Sequence, residues 1–386
     1  MPVYKWEGKD RQGQIRKGEL EATSPAVAVL QLRKQQIVPV QVKAEKEKRK
    51  GGLLGVFRRK VKEKEVAVFT RQLATMIDAG LPLVQSLEIL AVQQENPAFK
   101  DTLLQVKGAV ESGSTFSDAL RKAPRVFDDL YTNLVTAGEI GGTLDIILNR
   151  LSQYMEKAIA LKKRVKGAMV YPASILGVCV MVVIVLLVFV IPVFENMFKG
   201  FGAALPAPTQ FLISLSKFVK AYIFFILVGL AGLVVIFRKF RQTPSGKLVT
   251  DRALLKAPVF GSLLIKIAIA RFSRTLGTLV SSGVPILDGL TITAKSSGNK
   301  VLELAIVKTR ESISEGKTIA EPLEKEAVFP SMVVQMIGVG ERTGSLDAML
   351  NKIADFYDEE VDATVAALTS LLEPLMMVVL GVLIGA

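Results

Sequence analysis

The chain has 386 residues, half of them hydrophobic, with 49 Lys and Arg against 36 Asp and Glu, a net charge of +13 and no histidine. The missing histidine excludes imidazole acid–base chemistry and histidine metal sites, and the single cysteine, Cys179, excludes a disulfide framework or a thiolate metal cluster within one chain. The basic surplus sits in one run, residues 43–64, and beside apolar stretches, which points to anionic membrane lipid and away from nucleic acid.

Residues 1–43 read as a small α+β module. YKWEGKDRQGQIRKGELEA alternates and turns at Asp10 to Gly13 as a hairpin does, Ser24 and Pro25 open a helix through about Gln35, and IVPVQVK forms a further strand. The N-terminus lacks a basic-then-apolar pattern, so no cleaved signal peptide is expected. A basic linker, residues 44–64, leads to a first helical domain, residues 65–166. Its opening stripe of Val66, Phe69, Leu73, Met76 and Ile77 has helical spacing. Gly80 ends that helix and Pro82 begins the next, with further breaks at Gly113, Pro124 and Gly142, giving about six short helices.

Residues 167–194 hold no ionisable side chain except Tyr171 and Cys179, and Ala173 to Phe194 alone would span roughly 33 Å as a helix, enough to cross a membrane. A nearly uncharged loop, residues 195–217, should join this span to a second, residues 218–237. Lys162, Lys163, Arg164 and Lys166 before the first span and Arg238, Lys239 and Arg241 after the second predict that both flanks are cytoplasmic. A connector, residues 238–264, leads to a second helical domain, residues 265–362, and a third apolar segment, residues 363–386, broken only by Glu373. Twelve residues follow Pro374, roughly 18 Å of helix, so the sequence is expected to stop before the natural end of that span. The fold class expected is an all-α integral membrane protein: two cytoplasmic six-helix bundles and three transmembrane helices behind the small module.

The two domains are copies. At an offset of 203, Phe69, Arg71, Leu73, Gly80 and Pro82 return as Phe272, Arg274, Leu276, Gly283 and Pro285. At an offset of 202, AGEIGGTLDIILNRL (137–151) returns as VGERTGSLDAMLNKI (339–353). Homologous domains on one side of a membrane need an even number of spans between them, and hydropathy supplies two.

Within the repeated motif, Gly138, Gly142, Gly340 and Gly344 suit helix breaks, Thr143 and Ser345 suit caps, and Asp145 and Asp347 suit a first helical turn. A turn asks for no glutamate, so Glu139 and Glu341 are candidates for tertiary hydrogen bonds or a partner contact. Arg71 and Arg274 lie about 200° around their helix from the stripe phenylalanine and recur where neighbours diverge, which points to a defined partner inside or outside the bundle. The basic end of the first domain (KAIALKKRVK, 157–166, with Lys162, Lys163, Arg164 and Lys166) and the acidic end of the second (ADFYDEEVDA, 354–363, with Asp355, Asp358, Glu359, Glu360 and Asp362) are expected to face each other, within one chain or between subunits. SEGKT (314–318) falls short of a phosphate loop, because Glu311 stands where a glycine is required. No metal site, cofactor or catalytic cluster is expected, and any energy must come from a partner.

FTRQLATMIDAGLPLVQSLEIL (69–90), the paired GExxGxL segments and the three-span plan together resemble the type II secretion F family, whose members are inner-membrane platform proteins of type IV pilus and type II secretion machines. YKWEGKDRQG and LRKQQIVPV look closer to the pilus branch. The resemblance implies a multi-pass protein of the bacterial inner membrane, a cytoplasmic N-terminus and helical domains, and self-association into a homo-oligomer. Its implied partners are a hexameric assembly or retraction ATPase, pilins, other inner-membrane alignment proteins and membrane lipid. The implied role is to transmit ATPase motion to pilins entering or leaving a filament. The alternative from another class is a transporter or channel subunit with cytoplasmic regulatory domains, which would place ionisable or interrupted segments at mid-membrane; only Pro192 and Glu373, near span ends, come close.

Overall fold

The computed structural model describes residues 3–9, 15–21, 29, 38–44, 60–200, 207–258 and 260–385. The chain divides into two compact units, Met1–Lys60 and Val61–Ala386. In the first, β1 (Val3–Lys9), β2 (Ile15–Glu21) and β3 (Val38–Ala44) form an antiparallel sheet in the order β2-β1-β3, with a bulge between Glu7 and Gly8. Val3 pairs with Glu21 and Lys9 with Ile15, the register of a hairpin. The expected helix near Ser24 to Gln35 lies outside the described residues apart from position 29.

The second unit contains the two copies, each of six helices. The first comprises α1 (Glu63–Asp78), α2 (Leu83–Gln93), α3 (Pro97–Glu111), α4 (Phe116–Arg121), α5 (Asp129–Gly141) and α6 (Leu144–Val185). A π-helical turn (Leu186–Val190) and α7 (Ile191–Gly200) continue α6, then α8 (Ala207–Gln242) and α9 (Pro244–Lys256) lead to the second copy. That copy comprises α10 (Phe260–Ser281), α11 (Ile286–Ser296), α12 (Lys300–Ser314), α13 (Ala320–Glu324), α14 (Ser331–Thr343) and α15 (Leu346–Gly385).

Local chemistry starts the helices where the sequence does. Asn96, Thr115, Asp128 and Asn299 accept hydrogen bonds from the orphan N–H groups of Ala98, Asp118, Tyr131 and Val301. The stripe residues then meet at the core: in the first bundle Phe69 packs against Phe99 and Phe127 with ring centroids 5.5 and 6.1 Å apart, and in the second Phe272 packs against Phe329 at 5.1 Å.

Two expectations about boundaries change. The expected first domain end, near residue 166, falls inside a continuous helix, which runs on through Gly167 and Pro172 without ending at either. The 195–217 stretch, expected as loop, is helical through Gly200 and again from Ala207. Among the described residues, Lys217 Nζ donates to Glu195 Oε1 at 2.7 Å, with Glu195 only 8% exposed, and Ser216 donates to the Leu187 carbonyl inside the π turn.

Among the described residues, two helices are long and apolar enough to cross a membrane, α6 with its continuation and α8. The α9–α10 pair, bent by 113°, meets the same measure, but Ile269, Phe272 and Leu276 of α10 are fully buried in the second bundle. The third expected span lies on the C-terminal part of α15, where most side chains beyond residue 370 are outside the described residues.

One matched core position separates the copies by its hydrogen bonding. Thr70 donates to the Val66 carbonyl and lies 3.0 Å from the Tyr131 hydroxyl, whereas its counterpart Ser273, also fully buried, has no hydrogen-bond partner among the described residues. Tyr131 is replaced by Val333 in the second copy. A buried hydroxyl with no partner destabilises, so Ser273→Ala is expected to raise stability by about 1 kcal/mol while Thr70→Ala lowers it by a similar amount. Thermal unfolding of the detergent-solubilised chain checks both signs.

Candidate functional site: the seam between the repeats

The repeated glutamates act at the N-termini of the short helices. Glu139, near the end of α5, accepts from the backbone N–H of Phe116 at 2.5 Å and of Ser117 at 2.8 Å, covering the start of α4. Glu341 does the same in the second copy, accepting from Ile319 N–H at 2.8 and 3.0 Å at the start of α13. A helix N-terminus holds orphan donors and partial positive charge, so a carboxylate brought from another helix satisfies both at once.

The adjacent glycines explain why the glutamates reach. A Cβ on Gly138 would stand 3.0 Å from Ile147 Cγ1 and 3.2 Å from Leu144 Cα, and one on Gly340 would stand 3.0 Å from Leu346 Cα. Close contact between consecutive helices therefore requires glycine there. Gly142 and Gly344 close α5 and α14 with φ of +65° and +69°, a left-handed conformation that favours glycine. The expected cap at Thr143 is corrected: it holds the N-cap position of α6, but its side chain makes no cap bond, and the turn is closed instead by Thr143 N–H to the Gly138 carbonyl at 2.9 Å. Gly80 and Gly283 likewise close α1 and α10 with positive φ, and Pro82 and Pro285 hold the N-cap positions of α2 and α11.

The recurrent arginines find partners inside the protein. Arg71 donates from Nε and Nη2 to the two carboxylate oxygens of Glu156 at 2.9 and 2.7 Å, and from Nη1 to Asn149 Oδ1 at 2.9 Å, fastening α1 to α6. The hydrogen bond to Glu156 raises the arginine pKa, and the arginine holds Glu156 below the usual carboxylate range. In the second copy Arg274 reaches Asp358, the counterpart of Glu156, at 2.5 Å, and also Asp355 Oδ1 at 3.0 Å. The Arg71 side chain is 39% exposed and that of Arg274 only 9%, because α6 of the first copy lies against α10 and α15 of the second.

That contact is the seam. Lys157 donates to the Asp355 oxygen that Arg274 also uses, at 2.9 Å, and Arg164 pairs with Asp362. The Tyr154 hydroxyl lies 3.1 Å from Thr275 Oγ1, and Arg150 donates to the Ser281 carbonyl. Burial raises Asp355, but the bonds from Lys157 and Arg274 together hold it below its ordinary value; burial raises Asp358 above its ordinary value despite Arg274. The basic and acidic helix ends thus meet within one chain through Arg164 and Asp362. Lys162 instead holds Glu63 at 2.8 Å, and Glu360 holds Lys266 at 2.8 Å, because each is turned toward the first helix of its own bundle. Lys163, Lys166 and Glu359 are exposed. Lys157 and Asp355 belong to the basic and acidic helix ends that the charge pattern pairs, whereas nothing in the sequence pattern singles out the connector residue Asp251. Asp251, 2% exposed, accepts from Lys300 N–H at 2.8 Å and Arg241 at 3.2 Å. Lys157 to Asp355 and Arg164 to Asp362 are both separated by 198 residues, so the two pairs keep one register along the seam.

Glu139→Ala and Glu341→Ala are each expected to cost about 2 kcal/mol, with faster amide exchange at the α4 or α13 N-terminus of the altered copy alone. The Arg71–Glu156 pair is exposed, so its worth is about 0.5 kcal/mol. Because the folded pKa of Glu156 is depressed, that stability is present above the ordinary glutamate range and lost as pH falls through it. Wild type and Glu156→Gln should therefore differ above about pH 5 and converge near about pH 3, as read by unfolding at each pH.

Two stretches of the chain, residues 69–192 and 272–386, match the family described as type II secretion system (T2SS), protein F, and residues 1–43 match its N-terminal domain. The chain is 50% identical over 382 residues to the type IV pilus assembly protein PilC of Myxococcus xanthus, covering 99% of this chain and 91% of that protein. It is 42% identical over 362 residues to the PilC of Pseudomonas aeruginosa, covering 92% and 94%. Similarity to the type II secretion system protein F of Vibrio cholerae is lower, 33% over 386 residues, covering 99% and 94%. The pilus relatives are thus the more similar, and the chain belongs to the type II secretion system protein F family, on its pilus branch.

Proposed function

We propose that this chain is the inner-membrane platform of a type IV pilus machine and couples a hexameric cytoplasmic ATPase to the insertion of pilins into a filament or their removal from it. The observation that carries the coupling is helical continuity: the last helix of each bundle, α6 and α15, runs on into an apolar segment without a break at the domain boundary. A bundle joined to its span by a flexible linker could turn without moving the span. Here α6 has 42 residues, about 63 Å of helix, so a tilt of the bundle becomes a tilt of the span.

In this reading residues 1–43 form an α+β module, α6 with its continuation, α8 and the end of α15 cross the inner membrane, and the module and both bundles face the cytoplasm. Copies of the chain self-associate, other inner-membrane alignment proteins surround them, and the ATPase supplies the energy. The gradient of identity toward relatives named for pilus assembly favours pilins over secreted-protein machinery.

Inserting three glycines between Lys166 and Gly167 tests the coupling, with three alanines inserted at the same place as the control for length and phase. Glycine weakens a helix by about 1 kcal/mol per residue relative to alanine. The expected outcome is that both variants reach the membrane and co-isolate with the ATPase at wild-type levels, while surface filament falls at least about tenfold further in the glycine variant. Equal filament growth in the two variants, at equal abundance, would make the chain a passive scaffold.

A further inference from the structure

The seam sets one face of α6 into one groove of the second copy. Arg150, Tyr154 and Lys157, at i, i+4 and i+7, reach the Ser281 carbonyl, Thr275 and Asp355, and Arg164 reaches Asp362 two turns further along. Because the copies are homologous, α15 carries the matching face and the first copy the matching groove. On α15 the face is Lys352, Phe356 and Glu359, again at i, i+4 and i+7. Lys352 and Glu359 are exposed and make no ion pair among the described residues, and Phe356 is 40% exposed. All three line one open cleft of about 550 Å³ beside the seam. The groove of the first copy lies along α1 and α6, where Asp78, Gln72 and Gln153 stand at the positions of Ser281, Thr275 and Asp355. These three are exposed too, and Asp78 makes no ion pair among the described residues. Arg71 in the same groove is 39% exposed at its side chain, against 9% for Arg274 beneath α6.

A face left open on one copy and its groove left open on the other are the two halves of a heterologous contact, which a second chain extends. The matched positions are complementary. Where Arg150 meets a carbonyl at the end of α10, Lys352 would meet Asp78, the last residue of α1, where a cation also suits the helix C-terminus. Where Lys157 meets Asp355, Glu359 would meet the Gln153 amide and the open edge of Arg71, so the charge on the face has changed sign and its receiver has changed with it. Where Arg164 pairs with Asp362, the face has Ala366 and the groove has Ala160, both charges having gone together. We propose that chains associate head to tail, α15 of one docking by Lys352, Phe356 and Glu359 into the α1–α6 groove of the next, as α6 docks into the second copy within each chain. This names the surface for the self-association proposed above and rests on that reading. Because α6 and α15 run parallel, the step from chain to chain keeps their apolar ends pointing the same way, as a shared membrane requires.

The test starts from the full chain with Cys179→Ala, its single cysteine removed. One such chain carries Lys352→Cys and another Asp78→Cys, and the two are co-expressed in one membrane and treated with a bismaleimide. A covalent dimer holding one of each is expected. A heterologous contact does not bring a residue to its own copy, so either chain alone should give at most about a tenth of that yield, as should exposed Lys325→Cys in place of Lys352→Cys. Charge reversal supplies a second measurement: Lys352→Glu and Asp78→Lys should each lower the oligomeric fraction about fivefold, and together restore it to within about twofold of wild type. Native mass spectrometry of the detergent-solubilised chain separates the failures. A monomer at every concentration overturns the self-association and this surface together. An oligomer that forms without the Lys352 to Asp78 link, or that ignores both reversals, overturns this surface alone. A strong dimer from Lys352→Cys by itself would mean a twofold contact and overturn the head-to-tail mode.

Discussion

Asp355 accepts hydrogen bonds from two cations that belong to different repeats, Lys157 at 2.9 Å and Arg274 at 3.0 Å. Much of the second unit depends on that shared carboxylate. Arg274 is 9% exposed at its side chain, and a buried guanidinium without its acceptors costs about 3–5 kcal/mol. It is buried because α6 of the first copy covers it, so the second bundle reaches its final surroundings only when the first is docked. A well-packed apolar group at position 274 could stabilise as much. What the charged cluster adds is register, since only one placement of α6 brings Lys157 to Asp355 and Arg164 to Asp362 together.

Duplication explains the paired motifs, and unequal use of the two copies explains their divergence. The glutamate cap is identical in kind in both, because each bundle contains a short helix whose first N–H groups have no partner within it. The arginine brace has kept its geometry but not its setting: Arg71–Glu156 is half exposed, and Arg274–Asp358 lies under the seam. The seam also accounts for what changed nearby. Position 153 is Gln in the first copy, and its counterpart is Asp355, the residue that the docked lysine requires. Likewise Gln72 became Thr275, whose shorter side chain lets the Tyr154 hydroxyl come within 3.1 Å.

The elements were legible in the sequence where short-range physics decides them. Stripes at helical spacing, positive-φ glycines and prolines after them located the six helices of each copy, and Phe69, Leu73, Phe272 and Leu276 are all fully buried. The glutamates were legible only by elimination, since their acceptor role depends on which helix start lies 22 or 23 residues back in the chain. The seam was half legible. Blocks of opposite charge announced that two helix ends attract, but which lysine meets which carboxylate is set by helix phase at the contact, so Lys162 and Glu360 turned to Glu63 and Lys266 instead. Hydropathy placed the apolar segments and misjudged their ends, because a helix continues past its apolar stretch wherever pairs such as Lys217 and Glu195 satisfy the side chains beyond it.

The spacing of the seam contacts bears on how a push at either bundle would travel. Lys157 and Arg164 are seven residues apart on α6, and their partners Asp355 and Asp362 are seven apart on α15, so the helices run parallel and meet again after two turns. One contact would act as a pivot. Two contacts about 10 Å apart along the axes fix the angle between the helices as well as their separation. Between them Leu161 packs against the second core and beside Val361, which closes the gap with apolar contact. The lengths of α6 and α15 that pack in the bundles are therefore held as a pair, so a tilt of one bundle would be carried to the apolar end of both helices. Under the coupling role proposed above, such a pair would carry the motion without any reactive side chain.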